Sequence, residues 1–362
     1  MGPLKGIRII EMVGLGPGPF AGMMLADMGA EVIAVDRPDT GDAPQLKVDI
    51  NRRGKRSIQL DLKKEKDRAV LLKLCETADA LFEGFRPGVM EKLGLGPDIC
   101  MARNPRLIYG RMTGWGQDGP LASAAGHDIN YIALSGALYG MGDKDRPPMV
   151  PLNLVGDYGG GAMMLAFGLV SALLESKTSG KGQVIDVSMV EGSSLLMSVF
   201  HSLKASGLWG AARGANLLDG AAHFYGSYET LDQKYISLGA LERPFMQILV
   251  DKAGLDAAFI QDHLKPEKWP ELRQKLEILF KSRSQKEWCD LLEGSDACFA
   301  PVLPFWQAQD HAHNQTRGSF VEIDGLIQPA PSPRFSRTKA EVSHGPVKAG
   351  QHTDDILKEL GM

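Results

Sequence analysis

Two short segments of the 362-residue chain carry side chains suited to moving protons. One reads Gly126-His127-Asp128-Ile129-Asn130-Tyr131, the other Asn153-Leu-Val-Gly156-Asp157-Tyr158-Gly159-Gly160-Gly161. A histidine takes up or releases a proton near neutral pH, and an aspartate does so when burial raises its pKa. His127 follows a small-residue stretch, Ala122–Gly126, which gives its imidazole room to face a cleft. Each residue also has a structural reading. A histidine near a helix start can be a capped or otherwise satisfied residue, and Asp157 stands where it would N-cap the apolar helix expected over 157–176. Residue types alone leave both readings open.

A second set of residues is basic. Arg37, Arg52, Arg53, Lys55, Arg56 and Lys63 crowd together, and Phe85-Arg86-Pro-Gly puts an arginine at an expected strand-to-helix turn. Such a cluster suits coenzyme A or another phosphorylated ligand, although any single member can be an ordinary solvated side chain. Gly16-Pro-Gly-Pro-Phe-Ala21 matches the GxGxxA dinucleotide pattern, and Asp36 follows it at the spacing expected for a ribose ligand. The prolines weigh against that match, because Pro17 and Pro19 have no N–H to offer a pyrophosphate.

The elements that must position these residues follow from the hydrophobic pattern. Short apolar runs at 7–12, 31–35, 80–82, 107–111 and 183–188 read as strands. Helical spacing covers 20–28, 65–78, 88–104, 157–176 and 190–206. Alternation of strand and helix predicts an open α/β fold with a parallel sheet across about the first 115 residues. From residue 220 the texture changes to strands at 227–229 and 235–238 with helices at 244–253 and 271–280, a smaller α+β unit. The expected organisation is a large α/β domain over 1–180, completed by 330–362. A linker at 181–218, a small domain at 219–307 and a return linker at 308–329 complete it.

Composition narrows the function classes. The net charge is −4, which gives no global reason to expect nucleic acid or a membrane surface. The apolar run at 159–174 is short for a membrane span and reads as a buried helix. Cys75, Cys100, Cys289 and Cys298 are scattered without CxxC, as expected of reduced thiols in the cytoplasm. His311-x-His313 is a lone polar pair, so no metal site is expected.

Ordered motifs along nearly the whole chain carry a resemblance. They are LGPGP at 15–19, Asp36-Arg-Pro, Gly54-Lys-Arg-Ser, Phe85-Arg-Pro-Gly, Gly126-His-Asp-Ile-Asn-Tyr and the Gly156-Asp loop. Gly180-Lys-Gly-Gln-Val-Ile-Asp186, Met189-Val-Glu-Gly192, Leu218-Asp-Gly220 and Gly239-Ala-Leu-Glu242 complete them. The chain resembles the family III CoA-transferases and, among them, the α-methylacyl-CoA racemases. That resemblance implies a Rossmann-like large domain, a smaller domain and an interlocked homodimer with its active site at the subunit interface. It implies a 2-methylacyl-CoA substrate, with CoA part of the substrate and no separate cofactor.

His127 and Asp157 would be the two catalytic acid/base groups. Glu242, from the partner subunit, would stand near His127, and Asn153 and Tyr225 near Asp157. Arg37, Leu60, Asp61, Leu62, Lys63, Arg86, Gly126, Asp128, Ile129, Asn130 and Tyr131 would contact the CoA ester. The chain departs from the pattern at His223, where such racemases usually carry proline ahead of Phe-Tyr. The transferases of the family use an aspartate at the position of Asp157 as a nucleophile, and need no second base opposite it. The Gly-His-Asp sequence at 126–128 therefore favours the racemase over the transferase.

Overall fold

The computed structural model describes residues 2–38 and 46–362. Strands β1 (Arg8–Met12), β2 (Glu31–Asp36), β3 (Arg56–Gln59), β4 (Ala80–Glu83) and β5 (Ile108–Thr113) are joined by helices α1 (Pro17–Asp27), α2 (Glu65–Cys75), α3 (Val89–Lys92) and α4 (Pro97–Arg103). After α5 (Asp128–Leu134), a π-helical segment (Leu154–Ala162) runs directly into α6 (Met163–Ser179), followed by β6 (Val184–Ser188) and α7 (Met189–Leu196). The six strands form one sheet in the order β3-β2-β1-β4-β5-β6, and every pairing is parallel. This is the Rossmann order, in which ligands meet the carboxyl ends of the strands where the order reverses, here between β1 and β4.

Alternating strand residues split the core into two layers. Ile9, Val32, Ala80, Phe82, Ile108 and Met112 face α1 and α6. Ile10, Met12, Ile33, Val35, Ile58, Leu81 and Tyr109 face α2, α4 and the C-terminal helix α14 (Thr353–Glu359). The chain thus returns to the first sheet at its end, after the hairpin β10 (Phe320–Ile323) and β11 (Leu326–Pro329). Residues 181–197, expected as linker, hold the sixth strand and α7.

Residues 137–150 and 198–315 make a second compact unit. It holds α8 (Ser198–Ala205), the antiparallel sheet β7 (Tyr225–Glu229), β8 (Tyr235–Gly239) and β9 (Phe299–Val302), and helices α9 (Arg243–Ala253), α10 (Ala258–Gln261), α11 (Trp269–Phe280) and α12 (Gln285–Leu292). Its last residues, up to Gln315, lie in helix α13 (Ala312–Arg317). Its core is built on Phe224, Tyr228, Met246, Phe259, Trp269, Phe280 and Trp288.

Three expectations are corrected here. The helix expected over 190–206 is two helices that break at Met197, and the stretch 88–104 is likewise two helices separated by the left-handed Gly94. The third correction concerns the basic cluster. Arg52 makes a two-pronged ion pair with Asp36 at 2.9 and 2.7 Å. Arg53 pairs with buried Asp27 at 2.6 Å, and Lys55 with buried Glu11 at 2.5 Å. Arg56 bridges Glu31 and Glu359. These four cations are neutralised by carboxylates and hold the unit together instead of waiting for a ligand.

Candidate active site

Because the sheet is parallel, the segments that follow its strands all emerge on one edge. Arg37 follows β2, Leu60–Lys63 follow β3, and Arg86 follows β4. The guanidinium of Arg37, the ammonium of Lys63 and the guanidinium of Arg86 are all exposed there. Leu60 is buried in the core, with its N–H donated to the Asp36 carbonyl at 2.9 Å. Leu62 packs partly against the same core. Asp61 is half-buried, and its N–H donates to Asp67.

The same edge rules on the dinucleotide pattern. α1 begins with Pro17, and the carbonyl of Pro19 accepts from Lys55 Nζ at 2.8 Å. Asp36, the residue such a site would reserve for ribose, is held by Arg52 and by Ser57 Oγ at 2.6 Å. The turn has lost N–H donors, and the acid already has its partners.

His127 is the N-cap of α5, and its exposed side chain stands at the mouth of that helix. Its N–H donates to Asn130 Oδ1 at 3.1 Å, so the backbone under the imidazole is fixed by the first turn. Ile129 and Asn130 are exposed, whereas Tyr131 is buried. The Tyr131 hydroxyl donates to the Gly126 carbonyl, and its ring meets Trp115 edge-on at 4.9 Å. A methyl group at Gly126 would lie 2.8 Å from Tyr131 and 2.9 Å from Trp115. Glycine is required at that point for the loop to close over both rings. Sequence reasoning missed Trp115; a tryptophan between two glycines just after a strand was the available signal.

Asp157 occupies a different setting from the one expected. It does not cap a helix but sits inside the π-helical segment, whose N-cap is Asn153. Its N–H donates to Asp128 Oδ1 at 2.7 Å, and the Tyr158 N–H reaches the Asn153 carbonyl at 3.4 Å. Neither N–H is therefore open to receive a substrate oxygen. Asn153 Nδ2 donates to Asp157 Oδ2 at 3.1 Å. A methyl group on Gly16 would lie 3.4 Å from that same oxygen, so the Gly/Pro loop after β1 borders the carboxyl group.

Burial raises the Asp157 pKa from its ordinary value and outweighs the Asn153 hydrogen bond, which lowers it. The charge of Asp128 adds to the rise, and that of His127 opposes it. The two candidate acid/base groups thus stand close enough to feel one another. Burial also raises the Tyr131 hydroxyl, with Asp157 adding to the rise and Arg86 opposing it, so Arg86 belongs to the same neighbourhood.

In the second unit, Glu242 is exposed at the N-cap of α9, and Tyr225 is exposed at the start of β7. His223, two residues before Tyr225, turns into the core of that unit between Phe224, Phe259 and His263. His311 pairs with Glu293 at 2.7 Å.

His127 at the start of α5 and the half-buried Asp157, its pKa raised by burial, therefore stand near the loop that follows β1. A sequence model of CoA-transferase family III matches residues 4–353. The chain belongs to CoA-transferase family III. It is 45% identical to the mouse protein named alpha-methylacyl-CoA racemase, over 99% of this chain and 93% of that one. Identity to the human protein of the same name is 44% over the same shares. The crystal structure of Rv3272 from M. tuberculosis superposes with a TM-score of 0.80 at 29% identity, covering 98% of this chain and 99% of that one. The family III fold, with its six-stranded parallel sheet, is the fold described above.

Proposed function

We propose that the protein interconverts (R)- and (S)-2-methylacyl-CoA thioesters by moving the proton on C2, and so is an isomerase. The observation that carries this reading is that Asp157 contacts Asp128 at the start of the helix capped by His127, in a chain this similar to racemases along nearly its full length. The carbonyl of a thioester makes the C2 proton weakly acidic. One group removes that proton from one face, the electron pair moves onto the thioester oxygen, and the other group delivers a proton to the opposite face. For that exchange one group must start neutral and basic and the other protonated. The raised pKa of Asp157 supports its role as the proton holder.

The developing enolate oxygen needs donors. With the N–H groups of Asp157 and Tyr158 committed, the first-turn N–H groups of Asp128 and Ile129 are the ones without an intrahelical acceptor. Exposed Arg37, Lys63 and Arg86 fit the phosphates of CoA, which belongs to the substrate; the chemistry calls for no further cofactor. Glu242 and Tyr225 complete the site from a partner subunit in this reading. An exposed apolar stripe on α6 supports assembly with a second copy. The helix formed by 154–179 is apolar enough to cross a membrane by length and composition. It carries Asp157, and its inner face packs on the first sheet through Leu165 and Leu169, which supports a core helix. Cys75 and Cys100 are fully buried thiols, consistent with the cytoplasm. CoA transfer through an Asp157 thioester is the alternative at the level of the family.

The test is proton exchange. A single-enantiomer 2-methylacyl-CoA is incubated with the protein in deuterated water, without free acid, and followed by NMR and chiral analysis. Deuterium at C2 with loss of optical purity is the expected result. A substrate that keeps its proton, while CoA passes to an added carboxylate, would replace the racemase with the transferase.

A further inference from the structure

Asp128 makes a contact inside the protein that the resemblance did not imply. It is only 6% exposed, and it starts α5 directly after His127. Oδ1 accepts the Asp157 N–H at 2.7 Å. Oδ2 is buried without a hydrogen-bond partner among the described residues. A carboxylate oxygen left bare in the interior is costly, so a fold that keeps one calls for a reason beyond packing. The chain also makes room for it. A methyl group at Gly156 would lie 2.6 Å from Asp128 Oδ1, so the residue before Asp157 must lack a side chain for this contact to form.

The contact also accounts for the local helix geometry. In a π-helical turn the N–H reaches back five residues, as Tyr158 does to Asn153, and some donors are left without a regular acceptor. The Asp157 N–H is taken by Asp128 instead. We propose that Asp128 is the positioning residue for Asp157, holding the π-helical turn that presents the aspartate and setting a second negative charge beside its carboxyl group. This rests on the proton-transfer reading of Asp157. Like charges that share a site resist joint ionisation, so Asp128 favours the protonated form of its neighbour. The other groups that act on the Asp157 carboxyl are His127, by charge, and Asn153, by hydrogen bond.

Two variants separate position from charge. Asp128→Asn keeps an oxygen to accept the Asp157 N–H and loses the charge; Asp128→Ala loses both. The Asp157 carboxyl is titrated by carbon NMR in protein labelled at aspartate carboxyl carbons, with Asp157→Asn identifying its signal. This readout does not depend on which reaction the protein catalyses. In Asp128→Asn the midpoint falls by about one pH unit, and both limbs of the racemisation pH profile move to lower pH. In Asp128→Ala, kcat falls by about 100-fold, with KM for the CoA ester little changed. An unmoved midpoint in the Asn variant, or wild-type kcat in the Ala variant, overturns the proposal. Absence of C2 exchange in the wild type would overturn the racemase reading alone, leaving the titration to decide on Asp128.

Discussion

His127 and Asp157 are held in unlike ways, and the difference shapes what their removal does. The imidazole is exposed at a helix mouth whose first turn fixes its backbone, whereas the carboxyl group is half-buried and pinned by Asn153. Neither contact is structural cement, so His127→Ala and Asp157→Asn are expected to fold and to lose racemisation by about 10²–10⁴-fold. Each variant keeps one base. His127→Ala is expected to go on exchanging the C2 proton of one enantiomer without inverting it, and Asp157→Asn that of the other. A variant that racemises at the wild-type rate removes its residue from the mechanism. His223 poses a different residue-scale question. Both its ring nitrogens are buried without hydrogen-bond partners among the described residues, and burial, with His263 and Arg273 adding, lowers its pKa to about 3. A folded pKa below the unfolded value near 6.5 means that the unfolded chain takes the proton first. Stability from the neutral ring is thus complete above about pH 6.5 and declines as pH falls toward 3, by up to about 1.4 kcal/mol per unit. His263, also lowered by burial, acts in the same direction. Denaturant unfolding at pH 7 and pH 5 should show His223→Leu losing about 2 kcal/mol less than the wild type between the two. Equal losses would place the proton uptake elsewhere.

At the scale of elements, helix α1 shows how a Rossmann turn can be turned to another use. Its Gly22 lies against the Glu11–Lys55 pair, and a methyl group there would stand 2.0 Å from Glu11 Oε2. Burial pushes the Glu11 pKa up and that of Lys55 down against their mutual attraction, so the pair cannot absorb displacement cheaply. Gly22→Ala should therefore cost about 3 kcal/mol or more of unfolding free energy. Gly18→Ala in the same helix meets only Met112 and Phe82, at 3.9 and 4.0 Å, and should be neutral or stabilising. Equal effects would mean that the pair does not limit the packing of α1. Five of the six strands of the first sheet, β1, β2, β4, β5 and β6, were legible in the sequence because they read as short apolar runs between helical stretches, whereas β3, Arg56-Ser-Ile-Gln59, lies in the basic stretch and has no such run. Asp157 was legible as a residue but not as a position, since no residue pattern distinguishes a π-helical turn from an α-helical start. The basic cluster misled for another reason. Its partners Glu11, Asp27, Asp36, Glu31 and Glu359 lie up to 303 residues away, and only the fold brings them within hydrogen-bonding reach.

For the whole molecule the open question is how many chains make one working site. Helix α6 buries Leu165, Leu169, Ala172 and Leu173 on one side, yet it leaves Met163, Phe167, Val170 and Leu174 facing out. Their spacing of four, three and four residues sets them in a single stripe, and Phe167 and Leu174 are 73% and 69% exposed. A continuous apolar stripe on a helix that already packs on its own sheet is expensive to leave in water, and such patches mark association surfaces. A homodimer would cover it, and the stripe continues the same helix that carries Asp157, so assembly and catalysis should fail together. Phe167→Glu, which puts a charge in the middle of the stripe without touching the buried side of α6, is expected to shift the protein from dimer to monomer in analytical ultracentrifugation. Circular dichroism should remain that of the wild type. C2 exchange should be lost in the monomer and return as concentration drives the variant back to dimer, because Glu242 and Tyr225 would again be supplied by the partner. A monomeric Phe167→Glu protein with full exchange activity would mean that one chain holds the complete site and that the stripe serves some other contact.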